Sequence, residues 1–100
     1  MSLPLIVEPE AEAEILEAAV WYDERNETLR TNFLRAVERT LERIQQNPLQ
    51  YQIIFGQVRR AMLGRFPYGL MYVVSEKEII VAACSHCRRD PKRWQDRTNR

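Results

Sequence analysis

The hydrophobic period of this chain changes once, at "QQNPLQ" around Pro48, and that change limits what it can fold into. Upstream, apolar residues recur at helical spacing; downstream they alternate along short segments, as in strands with one wet face. Helices gathered before strands, with little room for crossovers among the strands, make an α+β fold. Ala11, Ile15, Ala18, Ala19 and Tyr22 share one helical face, so a helix is predicted from Pro9 to about Glu24. Pro9 suits the first turn, where its missing N–H is no loss, and Glu8, Glu10 and Glu12 favour the positive helix start. Asn26 is the predicted break and cap. A second helix follows with Leu29, Phe33, Ala36, Val37, Thr40, Leu41 and Ile44 on one face. It stops near Asn47, because the residue before a proline is pushed out of the helical region. So short a link makes the two helices an antiparallel hairpin.

Leu3 to Val7 reads as a first strand, and Val58–Leu63, Tyr68–Val74 and Ile79–Ser85 as three more, paired antiparallel through short loops. Asp90 as cap and Pro91 at the first position predict a short C-terminal helix. The expected architecture is therefore an N-terminal strand, then a helix hairpin packed on a small antiparallel sheet, in the order β-α-α-β-β-β with a final helix. At 100 residues the chain is one domain, residues 1–100, and 45% hydrophobic residues suffice for a modest core.

Net charge is only +1, but it is divided unevenly. Residues 1–47 hold ten Asp/Glu against five Arg, whereas residues 48–100 hold ten Lys/Arg against four Asp/Glu. That asymmetry suggests an anionic contact for the second half, unless acidic helices simply sit against basic strands. The segment "CSHCRRDPKRW", Cys84–Trp94, concentrates the question, with a histidine, two thiols, four cations and a tryptophan. Zinc sites draw about four ligands from separated pairs, and there is no second pair, so no metal and no cofactor is expected. Strand alternation sends Cys84 and His86 to one face and Cys87 to the other, which disfavours both a disulfide and a Cys87–His86 nucleophile. The absence of a leader peptide or a membrane-length apolar run, together with unpaired cysteines, predicts a cytoplasmic protein that does not engage membranes.

The basic residues fall into two groups. Arg59, Arg60 and Arg65 come from one strand and its loop, and His86, Arg88, Arg89, Lys92 and Arg93 from the end of another. Guanidinium forks suit phosphates, and Trp94 or Tyr68 would offer a stacking plane for a base. Trp94 could equally cap the core, and Tyr68 and Tyr72 could lie on the helix hairpin.

"VRRAMLGRFPYGLMYVV" followed by "EIIVAACSHCRRDPKRWQDR" resembles the RelE/ParE superfamily, the toxins of type II toxin–antitoxin operons, often called plasmid stabilisation proteins. The likeness runs over nearly the whole chain, and the "FPY" and "RRDPKRW" segments carry most of its specificity. It implies a cognate antitoxin that wraps the toxin, landing on exposed apolar hairpin surface and the basic groove, in a complex of higher order. It also implies growth inhibition by one of two routes. ParE-like members poison DNA gyrase, whereas RelE-like members cleave mRNA on the ribosome. Arg60 and Arg89 match basic positions of the nucleases, but Gly69 and Met62 replace two others. The nucleases' C-terminal tyrosine is missing, with Trp94 its loose neighbour. Cys87 takes the place of one relative's histidine, with His86 beside it. The catalytic set for RNA cleavage would be Arg60, Arg89, His86 and Arg65, the last reaching in where Gly69 offers no cation. Arg59, Arg88, Lys92, Arg93 and Trp94 would grip the target. Gly69 and Met62 favour gyrase over mRNA, and a non-toxic binding module of the same fold is the alternative of another class.

Overall fold

In the computed structural model, which describes residues 2–98, the helix hairpin lies on one face of a five-stranded sheet. The elements run β1 (Leu5–Val7), α1 (Pro9–Asp23), α2 (Glu27–Gln46), β2 (Ile53–Phe55), β3 (Val58–Leu63), β4 (Phe66–Val74), β5 (Ile79–His86) and α3 (Lys92–Thr98). Both long helices begin and end within about a residue of where periodicity and capping put them. Pro9 opens α1, and Asn26 Oδ1 accepts the Thr28 N–H at 2.8 Å at the start of α2. The expected α+β order is present.

The sheet has the spatial order β1-β5-β4-β3-β2. Two features depart from the expected antiparallel sheet. β1 joins β5 in parallel, Leu5 opposite Ile79, so the sheet is mixed. The long connection that parallel strands need runs from β1 through the helix hairpin and then back across β2, β3 and β4 to β5. β2 is an extra edge strand antiparallel to β3, too short to announce itself by alternation. β2–β3 and β3–β4 turn through Gly56–Gln57 and Gly64–Arg65. In each turn only the glycine has positive φ, 55° and 60° respectively, the pattern of a type II′ hairpin.

The main core lies between hairpin and sheet. Tyr22, Phe33, Phe66 and Tyr68 form an aromatic cluster there, with Phe33 meeting Phe66 edge-on at 5.4 Å and lying tilted against Tyr22 at 5.2 Å. Such contacts add about 0.5–1.5 kcal/mol each to area burial. Tyr72 is fully buried, and its hydroxyl donates to the Pro48 carbonyl, tying the α2–β2 link to the sheet. A second, smaller core on the opposite face joins Val58, Met71, Ala83 and Trp94, with Ile54 and Phe55 packed against it. Phe55 and Trp94 meet edge-on at 5.8 Å, so α3 and β2 together cover part of that face.

β5 carries a bulge. Met71 faces Ala83 and Tyr72 faces Val81, leaving Ala82 without a partner. Beyond Val7, β1 has ended and this edge of β5 is open, yet its polar groups are satisfied by side chains. The Cys84 N–H donates to Glu14 Oε1 at 3.0 Å, and the Ala82 carbonyl accepts from Arg97 Nη2 at 3.2 Å. Arg97 in turn donates to both Glu14 oxygens, at 3.0 and 3.3 Å. Glu14 and Arg97 thus continue the edge that β1 leaves unfinished.

Candidate functional site

Alternation along β3, β4 and β5 assigns Ala61, Leu63, Tyr68, Leu70 and Cys84 to the helix side. Arg60, Met62, Gly69, Met71 and Ser85 fall on the other face. There they line a shallow groove of about 140 Å³, closed at one end by His86, Cys87, Arg89 and Trp94. Sheet pairing brings the two basic segments together. Arg60 lies on β3, two strands away from β5 and the Arg89 turn, and both side chains reach the same concavity.

Gly69 shapes this groove. A Cβ at this position would sit 2.9 Å from Arg60 Cγ and 3.1 Å from Arg60 Cδ, with Met62 Sδ at 3.2 Å. The Arg60 stem therefore lies across the strand where a side chain at position 69 would stand. The missing side chain at 69 is what lets Arg60 lie flat, so one position's loss of a cation fixes the other cation's path.

The remaining candidates divide. His86 is half-buried and packs edge-on to Tyr68 at 5.1 Å, while its Nδ1 accepts the Arg88 N–H at 3.1 Å. Trp94 is only 5% exposed, so its ring completes the smaller core and is not a free stacking plane. Tyr68 likewise belongs to the main core. Arg59 is turned to structural use, since Nη1 donates to the Leu49 and Tyr51 carbonyls at 3.2 and 2.6 Å. Arg65 does not reach the groove and instead lines a separate cavity against α2. Arg88 and Lys92 are exposed without lining the groove, and Arg93 leans toward Glu14 at 3.9 Å. Among the described residues, no group of three His, Cys, Asp or Glu is placed to hold a metal ion. No described helix is long and apolar enough to cross a membrane.

Ionisation follows the same partition. Burial pushes the Cys84 thiol up to about 12, the Glu14 carboxylate adds to the rise, and Arg89 opposes it. Burial also raises Tyr22, Tyr68 and Tyr72, the last to about 12. Cys84 is therefore an inert core thiol at neutral pH. Its effect on stability has a definite sign. The unfolded thiol ionises near its ordinary value of 9.0 and the folded one near 12, so between them the unfolded state holds fewer protons and stability falls as pH rises. Denaturant titrations of wild type and Cys84→Ala from neutral to alkaline pH are expected to diverge above about pH 9. The wild type should lose up to about 1.4 kcal/mol more per pH unit. Parallel curves would show that the thiol does not titrate in this way.

A second concave surface lies on the outer side of the hairpin. Leu16 and Val20, one turn apart on α1, are 55% and 58% exposed, and with Leu34 of α2 they line a cavity of about 740 Å³. Asp23, Arg30, Arg35 and Glu38 stand at its rim. Apolar side chains spaced by one helical turn beside a groove are the geometry into which an amphipathic segment packs. The family resemblance implies exposed apolar surface on the hairpin, but periodicity does not locate it, because α1 carries apolar residues on both faces.

The sequence profile of the ParE toxin of type II toxin–antitoxin system, parDE, matches residues 5–91. No curated protein sequence matches the chain. Among solved structures, one titled as a chromosomal ParDE toxin–antitoxin system from P. aeruginosa superposes with a TM-score of 0.74 at 21% identity. The alignment covers 84% of this chain and 95% of that one. At that identity the likeness is one of fold.

Proposed function

The chain belongs to the ParE toxin family of type II toxin–antitoxin systems, and from that premise we propose that it arrests growth by binding DNA gyrase through the open-face groove. The observation that carries this reading is that the groove offers cations without a proton-transfer partner in position. Arg60 and Arg89 line it, but Gly69 holds no third cation, and the His86 imidazole is committed through Nδ1 and packed on Tyr68. Cleavage of RNA by its own 2′-hydroxyl needs a base, an acid and charge stabilisation on the phosphorane. A protein target needs only a complementary surface, for which a pair of arginines beside the exposed Met62 is suited. The hairpin groove is then the seat of a cognate antitoxin, and the protein acts in the cytoplasm, where its target resides.

Purified chain, stripped of antitoxin, is expected to inhibit gyrase-catalysed supercoiling and to leave mRNA 5′ ends unchanged with or without ribosomes. Ribosome-dependent cuts abolished by Arg60→Ala would overturn the gyrase reading. The convergence of Arg60, Arg89 and His86 on one groove is what favours that second reading, a ribosome-dependent endoribonuclease.

A further inference from the structure

A third concavity, of about 250 Å³, opens between α2 and the β3–β4 turn. Asn32, Arg35 and Arg39 line it from the helix, and Gly64, Arg65 and Phe66 from the turn. Arg35 and Arg39 are one helical turn apart and so project from the same side of α2. The Arg65 guanidinium lies 5.9 Å from the centre of the Phe66 ring. No acidic side chain lines this space, and among the described residues none of the three arginines makes an ion pair. Three unneutralised guanidinium groups around one hollow repel one another, and an anion with paired oxygens would relieve that repulsion.

Arg35 also lines the apolar cavity on the outside of the hairpin, so the two cavities adjoin at that side chain on α2. We propose that the arginine pocket receives acidic side chains of the same partner segment whose apolar side chains fill the hairpin groove. This rests on the reading of that groove as the antitoxin's seat. The occupant is thus a peptide with apolar anchors for Leu16, Val20 and Leu34, followed by one or more Asp or Glu for Arg35, Arg39 and Arg65. A nucleic acid could supply phosphates to the arginines, but the adjoining surface gives it chiefly apolar side chains, with a rim whose charges balance: Asp23, paired with Arg30 at 3.5 Å, and Glu38 against Arg35. A peptide of mixed character matches both halves.

The test titrates the purified chain with the protein encoded by the adjoining open reading frame, at about 50 and about 500 mM salt, where charge pairs differ most in screening. Arg39→Gln/Arg65→Gln removes two cations from exposed positions, and Val20→Asp alters the groove alone. The expected result is a loss of roughly 30- to 100-fold at low salt for the arginine pair, shrinking at high salt, because charge-assisted contacts are lost. Val20→Asp should weaken binding at both salt concentrations. Wild-type affinity in the arginine variant, with weakened Val20→Asp, would refute the pocket's role and leave the groove reading standing. Wild-type affinity in both variants would remove the groove reading as well. If the arginine variant lost affinity only for a short DNA duplex, the pocket would be a phosphate site and the proposal would fall.

Discussion

Replacing Arg60 and Arg89 together by alanine is expected to abolish growth arrest while leaving the protein folded and still bound by its antitoxin. Arg60 is exposed, so its removal should change stability by no more than about 0.5 kcal/mol. Arg89 is half-buried, but its structural bond is made by the backbone, whose N–H donates to the His86 carbonyl at 3.0 Å and survives the substitution. Each arginine is the kind of side chain that dominates a protein contact, with truncation costing about 2 kcal/mol or more. Two such losses in one groove imply a fall of roughly 100- to 1,000-fold in the concentration dependence of target inhibition. The check is growth on induction without antitoxin, alongside gyrase inhibition by the purified variant. Undiminished arrest by the double variant would mean that the open face is not the toxic surface. If wild type itself fails to arrest growth, the chain is a binding module of the same fold.

Glu14→Ala is expected to be the most damaging single substitution on the helix hairpin that leaves the apolar core untouched. Glu14 is 8% exposed and holds three partners at once: the Cys84 N–H, both terminal nitrogens of Arg97 and, more distantly, Arg93. Its loss strands a largely buried guanidinium and orphans a strand N–H, which together cost about 3–5 kcal/mol. For a domain of this size that corresponds to a fall of about 15–30 °C in Tm. A second variant separates two explanations. If Glu14 and Arg97 matter only to each other, Glu14→Leu/Arg97→Met should approach wild-type stability, as buried pairs replaced by apolar residues often do. If they also complete the edge of β5, the double variant stays about 2 kcal/mol below wild type, because the Cys84 N–H and Ala82 carbonyl remain without partners. Calorimetric melting of the two variants decides the matter, and full recovery in the double variant would refute the edge-capping role.

The helices were legible because their signals are local. Pro9, Asn26 and Pro48 punctuate the chain, and the buried stripe of α2, Phe33, Val37, Thr40 and Ile44, repeats over about three turns of one face. β3 and β4 were legible from alternation, β5 from its nearly continuous apolar run, and their pairing from loop length. The parallel seating of β1 was not, since three residues show no period and their partner lies at the far end of the chain. Nor was the Glu14–Arg97 pair, because both residues sit in acidic or basic surroundings that look solvated when read along the chain. In the groove, register alone brings Arg60 and Arg89 together, and that much could be anticipated. What could not be read was occupation by other duties. Arg59 is spent on two carbonyls of the preceding loop, and Trp94 on the smaller core. Arg65 is carried by its turn to the side of α2.

The junction of β1 with β5 gives assembly a direction in time. The β3–β4–β5 meander is joined by short turns and closes small loops, so it can form without help from the first half of the chain. Leu5 opposite Ile79, by contrast, requires the whole hairpin to be in hand before a single ladder bond forms. Closing that seam is expected to be the late step and its opening an early one, so amide exchange in β1 should precede exchange in the paired strands β3–β5. On the proposed reading of the two surfaces, loosening the beginning of the hairpin, the proposed antitoxin seat, would leave the strands of the open-face groove paired.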